Sequence, residues 1–223
     1  MSRATLWAMK TPSILAVCRV QQLLPDTGAV GVTAIDKRPV EGPVRVRRLG
    51  LHGDVQADRA NHGGENKAVY AYSEDDAGLW AGALGREIPP GYFGENLRVA
   101  GYTASKAVIG ERWRFPGGTV LEVTMPRVPC ATFARRVGED GWVRRFRDSG
   151  LSGAYLRVIT PGDLEAGEPF SVEHVPDHGV RVGEWLAEPT RDRAEALLDA
   201  EAEGSIRLAA EIRPYIERAL AGE

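Results

Sequence analysis

Cysteine is scarce in this chain, which contains only Cys18 and Cys130 among its 223 residues. Two thiolates are too few for an iron–sulfur cluster or a cysteine-rich zinc site. A disulfide framework is not expected in a cytosolic protein of this length. The glycine-rich and catalytic signatures of nicotinamide sites, P-loops, nucleophile-elbow hydrolases and zinc metalloproteases are also missing. These absences argue against an internal nicotinamide site, a P-loop and the commonest hydrolase designs.

Long hydrophobic runs are missing as well, and none approaches the roughly 18–20 residues of a membrane-spanning helix. Lys10 and Pro12 interrupt the N-terminal apolar stretch, which has no signal-peptide core, so we expect a cytoplasmic protein without membrane association. The net charge of −3 argues against a nucleic-acid partner. A hydrophobic content of 43% with 26% charged residues is typical of a globular chain that buries a core.

Glycine and proline are distributed unevenly along the chain. Residues 1–180 contain 23 of the 26 glycines and 12 of the 14 prolines, whereas residues 181–223 are rich in alanine and glutamate. Dense turn residues between short apolar runs predict many short strands, and an Ala- and Glu-rich tail predicts helices. We therefore predict a mainly β domain over 1–180, a barrel or sandwich with a few helices, followed by a helical segment over 181–223.

Periodicity places the individual elements. Alternating or β-branched stretches predict strands at 13–20, 44–49, 67–72, 120–125 and 154–160. Helical spacing predicts helices at 73–84, 131–137, 182–187, 191–202 and 205–220. Ser73 with Asp76 resembles a capping box, and Pro214 predicts a kink or a boundary in the last helix.

The region around Cys130 is the most informative. Pro126 and Pro129 forbid a helix, so Cys130 leaves a stiff turn directly before a predicted helix, whose N-terminus favours a thiolate. Residues 127–147 contain six arginines and two acidic residues. Such a thiolate can be a nucleophile, a sulfur carrier or a soft-metal ligand, and the alternative is a small buried apolar residue. Cys18 lies in an alternating strand and is predicted to be core.

A second group of polar residues precedes the strand predicted at 67–72. Gly63 and Gly64 allow backbone N–H groups to approach an anion closely. Lys67 offers a point charge to a phosphate, and His62 offers a hydrogen bond or a proton near neutral pH. The alternative interpretation is a tight turn with solvated side chains.

Two weaker patterns lie on either side of that loop. His52, Asp54 and His62 are possible zinc ligands, although their spacing matches no established zinc site. Asn96 follows a turn at Gly94, where its amide either hydrogen-bonds a heterocycle edge or stabilises the loop.

Several short blocks follow one another in a specific order. They are Lys37 with Pro39-Val40, Gly50-Leu51-x-Gly53-Asp54-x-Gln56-Ala57-Asp58, His62-Gly63-Gly64 with Lys67-Ala68-Val69, Gly94-Glu95-Asn96, Ile109-Gly110-Glu111, Pro126-Arg127-x-Pro129-Cys130 and Gly141-Trp142. Over residues 30–175 this order resembles the MOSC family, named for the C-terminal domain of molybdenum cofactor sulfurases, and within it the bacterial stand-alone, YiiM-like branch. Glu111 departs from the Asp that relatives often carry.

The resemblance implies a β-barrel-like domain that binds a pyranopterin molybdenum cofactor, with Cys130 as the thiolate ligand to molybdenum. It implies that the cofactor, including its phosphate, is held by basic side chains and backbone donors of Lys67, Arg127, Lys37, Gly63 and Gly64. It also places His62 and Asn96 near the pterin or the substrate.

The resemblance further implies a reductase of N-hydroxylated compounds, including hydroxylaminopurine-type base analogues, which detoxifies them. His62 is then the proton donor, and a separate reductase supplies electrons because the chain has no flavin, haem or iron–sulfur signature. The alternatives are a carrier of cofactor or of persulfide on Cys130 without turnover, and a binding protein with an inert cysteine. The apolar tail helices are expected to pack on the domain or on a second copy in a homodimer.

Overall fold

The secondary structure is known for residues 11–57 and 63–222, which are the residues that the structure, a computed structural model, describes. The strands in this part of the chain are β1 (Ser13–Val20), β2 (Leu24–Pro25), β3 (Val32–Thr33), β4 (Lys37–Pro39), β5 (Val44–Arg47), β6 (Gly50–Leu51), β7 (Val69–Ser73), β8 (Leu97–Ala100), β9 (Arg112–Arg114), β10 (Val120–Pro126), β11 (Ala154–Thr160), β12 (Gly162–Leu164) and β13 (Ser171–His174). The α-helices are α1 (Glu74–Leu84), α2 (Ala131–Val137), α3 (Trp142–Ser149), α4 (Val182–Ala187), α5 (Arg191–Ala202) and α6 (Arg213–Ala221). Short 3-10 helices lie at Glu65–Lys67, Ala104–Lys106 and Ala210–Ile212.

One large sheet organises the chain. Its strand order is β13-β9-β10-β11-β7-β8-β1-β4, and its neighbours are antiparallel except for the parallel pair β7 and β8. The helix α1 connects these two parallel strands, as a parallel pair requires a crossover. Smaller sheets are β12-β5-β6 and the hairpin β2-β3.

The strands of the described residues do not close the large sheet into a barrel. Within the described residues its outer strands are β13 and β4, so the expected barrel-like closure is not confirmed, and the fold is sheet-rich with a few helices. The N-terminal half of β1 nevertheless bonds to the segment that precedes β13. Ile14 N donates to Glu168 O at 2.9 Å, and Gly167 N donates to Ile14 O at 2.7 Å. The segment 167–170 thus covers part of the free edge of β1.

The main apolar core includes both strands and tail helices. Strand residues such as Ile14, Val69 and Leu121 belong to the same buried cluster as Trp185 and Leu197 of the tail. The tail therefore packs on the sheet of its own chain through its apolar face. None of the helices in residues 11–57 and 63–222 combines the length and the apolar character that crossing a bilayer requires.

Most of the elements that local periodicity predicted are present, although the shorter strands and α3 were not predicted. The helices α2, α4 and α5 and the strands β1 and β11 have the predicted bounds. The strand predicted at 67–72 begins only at Val69, because Lys67 N bonds to Gly64 O and closes a 3-10 turn. The helix predicted at 205–220 is wrong in its first half. Gly204, with φ +75°, ends the previous helix, and α6 begins at Arg213 beside Pro214.

The start of α1 differs from the predicted capping box. Ser73 is the N-cap residue, but its side chain makes no capping hydrogen bond. Its hydroxyl instead accepts from Ala104 N at 2.7 Å and donates to Asp76 Oδ2 at 3.1 Å. Ser105 Oγ also donates to Asp76 Oδ2, at 2.7 Å. Asp76 is buried, and burial raises the pKa of its carboxyl above 3.8.

This raised pKa predicts a pH-dependent loss of stability. Because the folded state holds the Asp76 proton more tightly, no penalty exists below pH 3.8, and the penalty grows as the pH rises through the folded-state pKa. We expect Asp76→Asn to abolish this decrease in the free energy of unfolding, measured by urea titrations from acidic to neutral pH. Asp75→Asn, at the exposed neighbouring position, should keep the wild-type slope. Identical slopes for wild type and Asp76→Asn would contradict the assignment.

Candidate functional site

A cavity of about 370 Å³ brings together most of the predicted site residues. Its wall is formed by the β2-β3 hairpin region, residues 55–57 and the segment that leads from β10 into α2. The predicted residues on this wall are Lys37, Lys67, Asn96, Arg127 and Cys130. Blocks that are far apart in the sequence therefore form a single pocket.

Cys130 occupies the turn that the two prolines predicted. It is the N-cap residue of α2, its backbone is extended at φ −119° and ψ 171°, and its carbonyl accepts from Ala134 N at 3.0 Å. Its side chain is half-buried on the cavity wall. Cys18, by contrast, is fully buried in β1, and desolvation raises the pKa of its thiol to about 12. The prediction that Cys18 is a core residue is confirmed.

Arg127 is a buried cation for which the described residues provide no counter-ion. Only 6% of the residue is exposed, and its guanidinium carbon lies 3.8 Å from the ring centroid of Phe133 and 5.6 Å from that of Tyr70. None of the described residues accepts a hydrogen bond from its buried Nη1, and none forms a salt bridge with it. A buried charge is costly unless it is compensated, so this part of the cavity is suited to an anion.

Lys37 and Asn96 are held by Asp54, which stands behind the cavity wall. Lys37 Nζ donates to Asp54 Oδ2 at 2.6 Å, and Asn96 Nδ2 donates to the same oxygen at 2.8 Å. Val20 N donates to Asp54 Oδ1 at 2.9 Å. Asn96 also donates to Cys18 O and accepts from Tyr70 N. The amide of Asn96 therefore joins β1, β7 and the loop that carries Asp54, in addition to lining the cavity.

Removing the Asp54 carboxylate should be strongly destabilising. The side chains of Lys37 and Asp54 are 10% and 7% exposed, so Asp54→Ala would leave a nearly buried ammonium without its partner. We expect the free energy of unfolding to fall by about 3–5 kcal/mol, measured by urea denaturation. Asp163→Asn is the matched control, because Asp163 pairs with Arg45 on the surface at 3.5 Å and should contribute less than about 1 kcal/mol. Equal losses in the two variants would contradict this role of Asp54.

The glycine loop contributes less to the wall than its motif suggests. Lys67 ends the 3-10 helix Glu65–Lys67 and lines the cavity, and its carbonyl accepts from Gln56 Nε2 at 3.2 Å. Gly64 has φ +97° and does not line the cavity, and neither does Gly63. His62, the predicted proton donor, lies outside the described residues.

The zinc alternative finds no support in the described part of the chain. The carboxylate of Asp54 is engaged by Lys37, and His52 is exposed. Residues 11–57 and 63–222 contain no group of three or more His, Cys, Asp or Glu side chains arranged to hold a metal ion.

Two parts of the wall carry no motif and were missed by the sequence analysis. One is the segment 26–35, which contributes eight of the lining residues. The other is Tyr155 of β11, which pairs in register with Tyr70 of β7. The Tyr70 hydroxyl donates to Ser152 O at 2.9 Å, whereas no described residue bonds to the Tyr155 hydroxyl. Only the strand register, which local sequence does not reveal, brings Tyr155 to the cavity.

A second cavity, of about 640 Å³, lies on the other side of the segment that ends at Cys130. Pro126, Val128 and Pro129 face this groove, whereas Arg127 and Cys130 line the first cavity. The groove is otherwise walled largely by apolar residues of β10, α3, α4 and α6, and none of the described predicted site residues lines it. The five-residue segment is therefore a partition between two cavities, with its polar side chains on the candidate site.

Comparisons with known proteins agree with the order of motifs. Residues 58–171 match the family model described as MOSC domain. YflK of Bacillus subtilis strain 168 is 35% identical over 150 residues, which are 67% of each chain. A protein of Gibberella moniliformis named "Reductase" is 29% identical over 175 residues, which are 74% of this chain but 30% of that protein. The crystal structure of YiiM from Geobacillus stearothermophilus superposes with a TM-score of 0.72 and 26% identity, covering 94% of this chain and 99% of the other.

Proposed function

Since the chain belongs to the MOSC domain family, we propose that it is a molybdenum-cofactor-dependent reductase of N-hydroxylated compounds. Membership confirms the resemblance predicted from the motifs. The observation that carries the proposal is the cavity in which Cys130 lies together with Lys67 and with Arg127, whose buried Nη1 has no partner among the described residues. It offers a thiol for a soft metal and a cation for a phosphate on one wall.

The residues on the wall fit a pyranopterin molybdenum cofactor. A volume of about 370 Å³ is within the range of small-molecule sites. The buried Nη1 of Arg127, which no described residue satisfies, is a ready donor to the terminal phosphate of such a molecule. Bound there through Cys130, the cofactor supplies the two-electron chemistry that no side chain of this chain provides.

The reaction requires a source of protons and a defined substrate position. Reduction of R–NH–OH breaks the N–O bond and consumes two electrons and two protons, and it yields R–NH₂ and water. We assign the proton delivery to His62, because an imidazole side chain can donate a proton near neutral pH. Arg127, Lys67 and Lys37 hold the phosphate end of the cofactor, with Asp54 orienting Lys37. Hydroxylaminopurine-type base analogues are the proposed substrates, and their reduction detoxifies them.

Electrons must come from outside the chain. The sequence has no flavin, haem or iron–sulfur signature. The relative named "Reductase" is matched over less than a third of its own length, so most of that protein lies beyond the region shared with this chain. We propose that a separate reductase provides the electrons here.

The test is elemental analysis for molybdenum and fluorescence analysis of oxidised pterin, on protein made in a host that synthesises the cofactor. We expect near-stoichiometric amounts of both, and hydroxylaminopurine should be consumed with reduced dye in a one-to-one ratio with amine formed. Folded protein that binds neither metal nor pterin would contradict the proposed reductase activity. Sulfane sulfur on Cys130 without turnover would instead favour a carrier.

A further inference from the structure

The hairpin β2-β3 has two properties that the proposed function does not use. It lines the cavity together with Lys37, Lys67 and Arg127, and its side chains there are small or apolar except for Asp26. Val30 and Val32 line the cavity and yet remain 47% and 40% exposed. Half-exposed apolar side chains at the entrance of a cavity gain burial when an apolar ligand covers them.

The hairpin is joined to the helix of the site by a single carboxylate. Arg135 Nε and Nη2 donate to Asp26 Oδ1 and Oδ2 at 2.9 and 2.6 Å, and Thr132 Oγ1 donates to Oδ2 at 3.0 Å. Both donors belong to α2, the helix that begins directly after Cys130. The Asp26 side chain is only 9% exposed, and the Arg135 guanidinium holds the pKa of its carboxyl below the usual 3.8. The contact is bidentate and charge-assisted, the strongest kind available to these side chains.

The local sequence is adapted to this contact. Asp26 Oδ2 also accepts from Gly28 N at 3.1 Å. A methyl group at position 28 would lie 2.8 Å from Asp26 Oδ2 and 3.5 Å from Arg135 Nη2, so glycine leaves room for the ion pair. The backbone bond from Asp26 N to Gly31 O, at 3.0 Å, closes the hairpin above the same residue.

We propose that the hairpin Leu24–Thr33 is the substrate-selecting wall of the cavity, which receives the apolar body of the substrate, and that Asp26 latches this wall to α2. The inference rests on the proposed reductase function and deepens it. It assigns the recognition of the non-reacting part of the substrate to Val30 and Val32, while the cationic wall holds the cofactor. Small N-hydroxylated molecules without an apolar body gain nothing from the hairpin.

The wall is tested by selectivity. In Val32→Ser we expect the ratio of kcat/KM for hydroxylaminopurine to kcat/KM for hydroxylamine to fall about tenfold, because two methyl-sized groups of apolar contact are lost. Binding of adenine, the amine that hydroxylaminopurine yields, should weaken by the same factor in calorimetry of the protein as purified. An unchanged ratio or unchanged adenine binding would contradict the proposed role of the hairpin in substrate selection.

The latch is tested without turnover. Thermolysin should cut the hairpin about tenfold faster in Asp26→Asn than in wild type, since cleavage follows the population of the detached hairpin. Glu173→Gln is the matched control, because Glu173 pairs with Arg114 at 2.5 Å on β9 and β13, which do not line the cavity. Equal cleavage rates in all three proteins would contradict the proposal that Asp26 fastens the hairpin to α2. If wild type reduces neither substrate, the reductase proposal fails, and the adenine and thermolysin results still decide the role of the hairpin.

Discussion

Cys130→Ala is expected to abolish reduction of N-hydroxylated substrates and to lower the molybdenum retained by purified protein more than about 100-fold. The thiol on the cavity wall is the proposed soft ligand, and alanine would offer the metal nothing in its place. The fold should survive. Cys130 is half-buried at a helix N-cap, so we expect the free energy of unfolding to change by less than about 1 kcal/mol.

The matched control for this experiment is Cys18→Ala. It deletes the same thiol from the core of β1, where the pKa of about 12 keeps the group protonated. This variant should lose some stability through the small void and should keep its molybdenum, measured on the same preparation by elemental analysis. Full metal content in Cys130→Ala, or equal losses in the two variants, would remove Cys130 from the proposed metal site.

Arg127→Met is expected to weaken pterin binding without lowering the stability of the fold. The variant should retain at least tenfold less pterin, because it lacks the buried donor that we propose for the phosphate. Its free energy of unfolding should nevertheless stay equal or rise by about 1–3 kcal/mol, since methionine keeps an apolar contact with Phe133 and removes a buried charge that no described residue pairs with. A site residue that costs stability is the pattern expected of a ligand-binding position.

Arg157→Met is the matched control, because it removes a buried arginine that does form a salt bridge. Arg157 is as buried as Arg127, but it forms a salt bridge with Glu122 and donates to Arg207 O at 2.8 Å. Its removal should leave Glu122 with the half-exposed Arg112, whose Nε donates to Glu122 Oε2 at 2.6 Å, and lower the free energy of unfolding by about 3 kcal/mol, the low end for a broken buried pair. Thermal and urea unfolding of both variants would decide the matter. If Arg127→Met were destabilised to the same degree, Arg127 would be a structural residue.

Much of the fold was predictable because its signals are local. The alternation in β1 and the spacing in α4 and α5 depend on residues that are close in the chain, and those elements have the predicted bounds. The sheet order was not predictable in this way. The parallel pairing of β7 with β8 and the bonding of β1 to 167–170 are made between distant segments, and no short pattern encodes them.

The candidate site likewise has a part that local motifs predict and a part that depends on contacts between distant segments. The motifs led to Arg127, Cys130 and Lys67, which share the cavity. They did not reveal that Asp54, considered as a zinc ligand, is the partner of Lys37, because that ion pair joins β4 to a distant loop. The hairpin was not predicted as part of the site, because its mostly small and apolar side chains match no catalytic or binding motif. Only their position on the cavity wall indicates a role.

The bond between β1 and the segment 167–170 also bears on how the protein is made. During translation β1 leaves the ribosome early, and its C-terminal half can pair with β4 soon afterwards. The N-terminal half of the same strand edge stays unpaired until residues 167–170 have been synthesised. Until then it is an unpaired strand edge, the feature that most readily recruits another chain. A nascent chain that stalls before residue 167 would present this edge to its neighbours, so complete synthesis is itself a protection against aggregation.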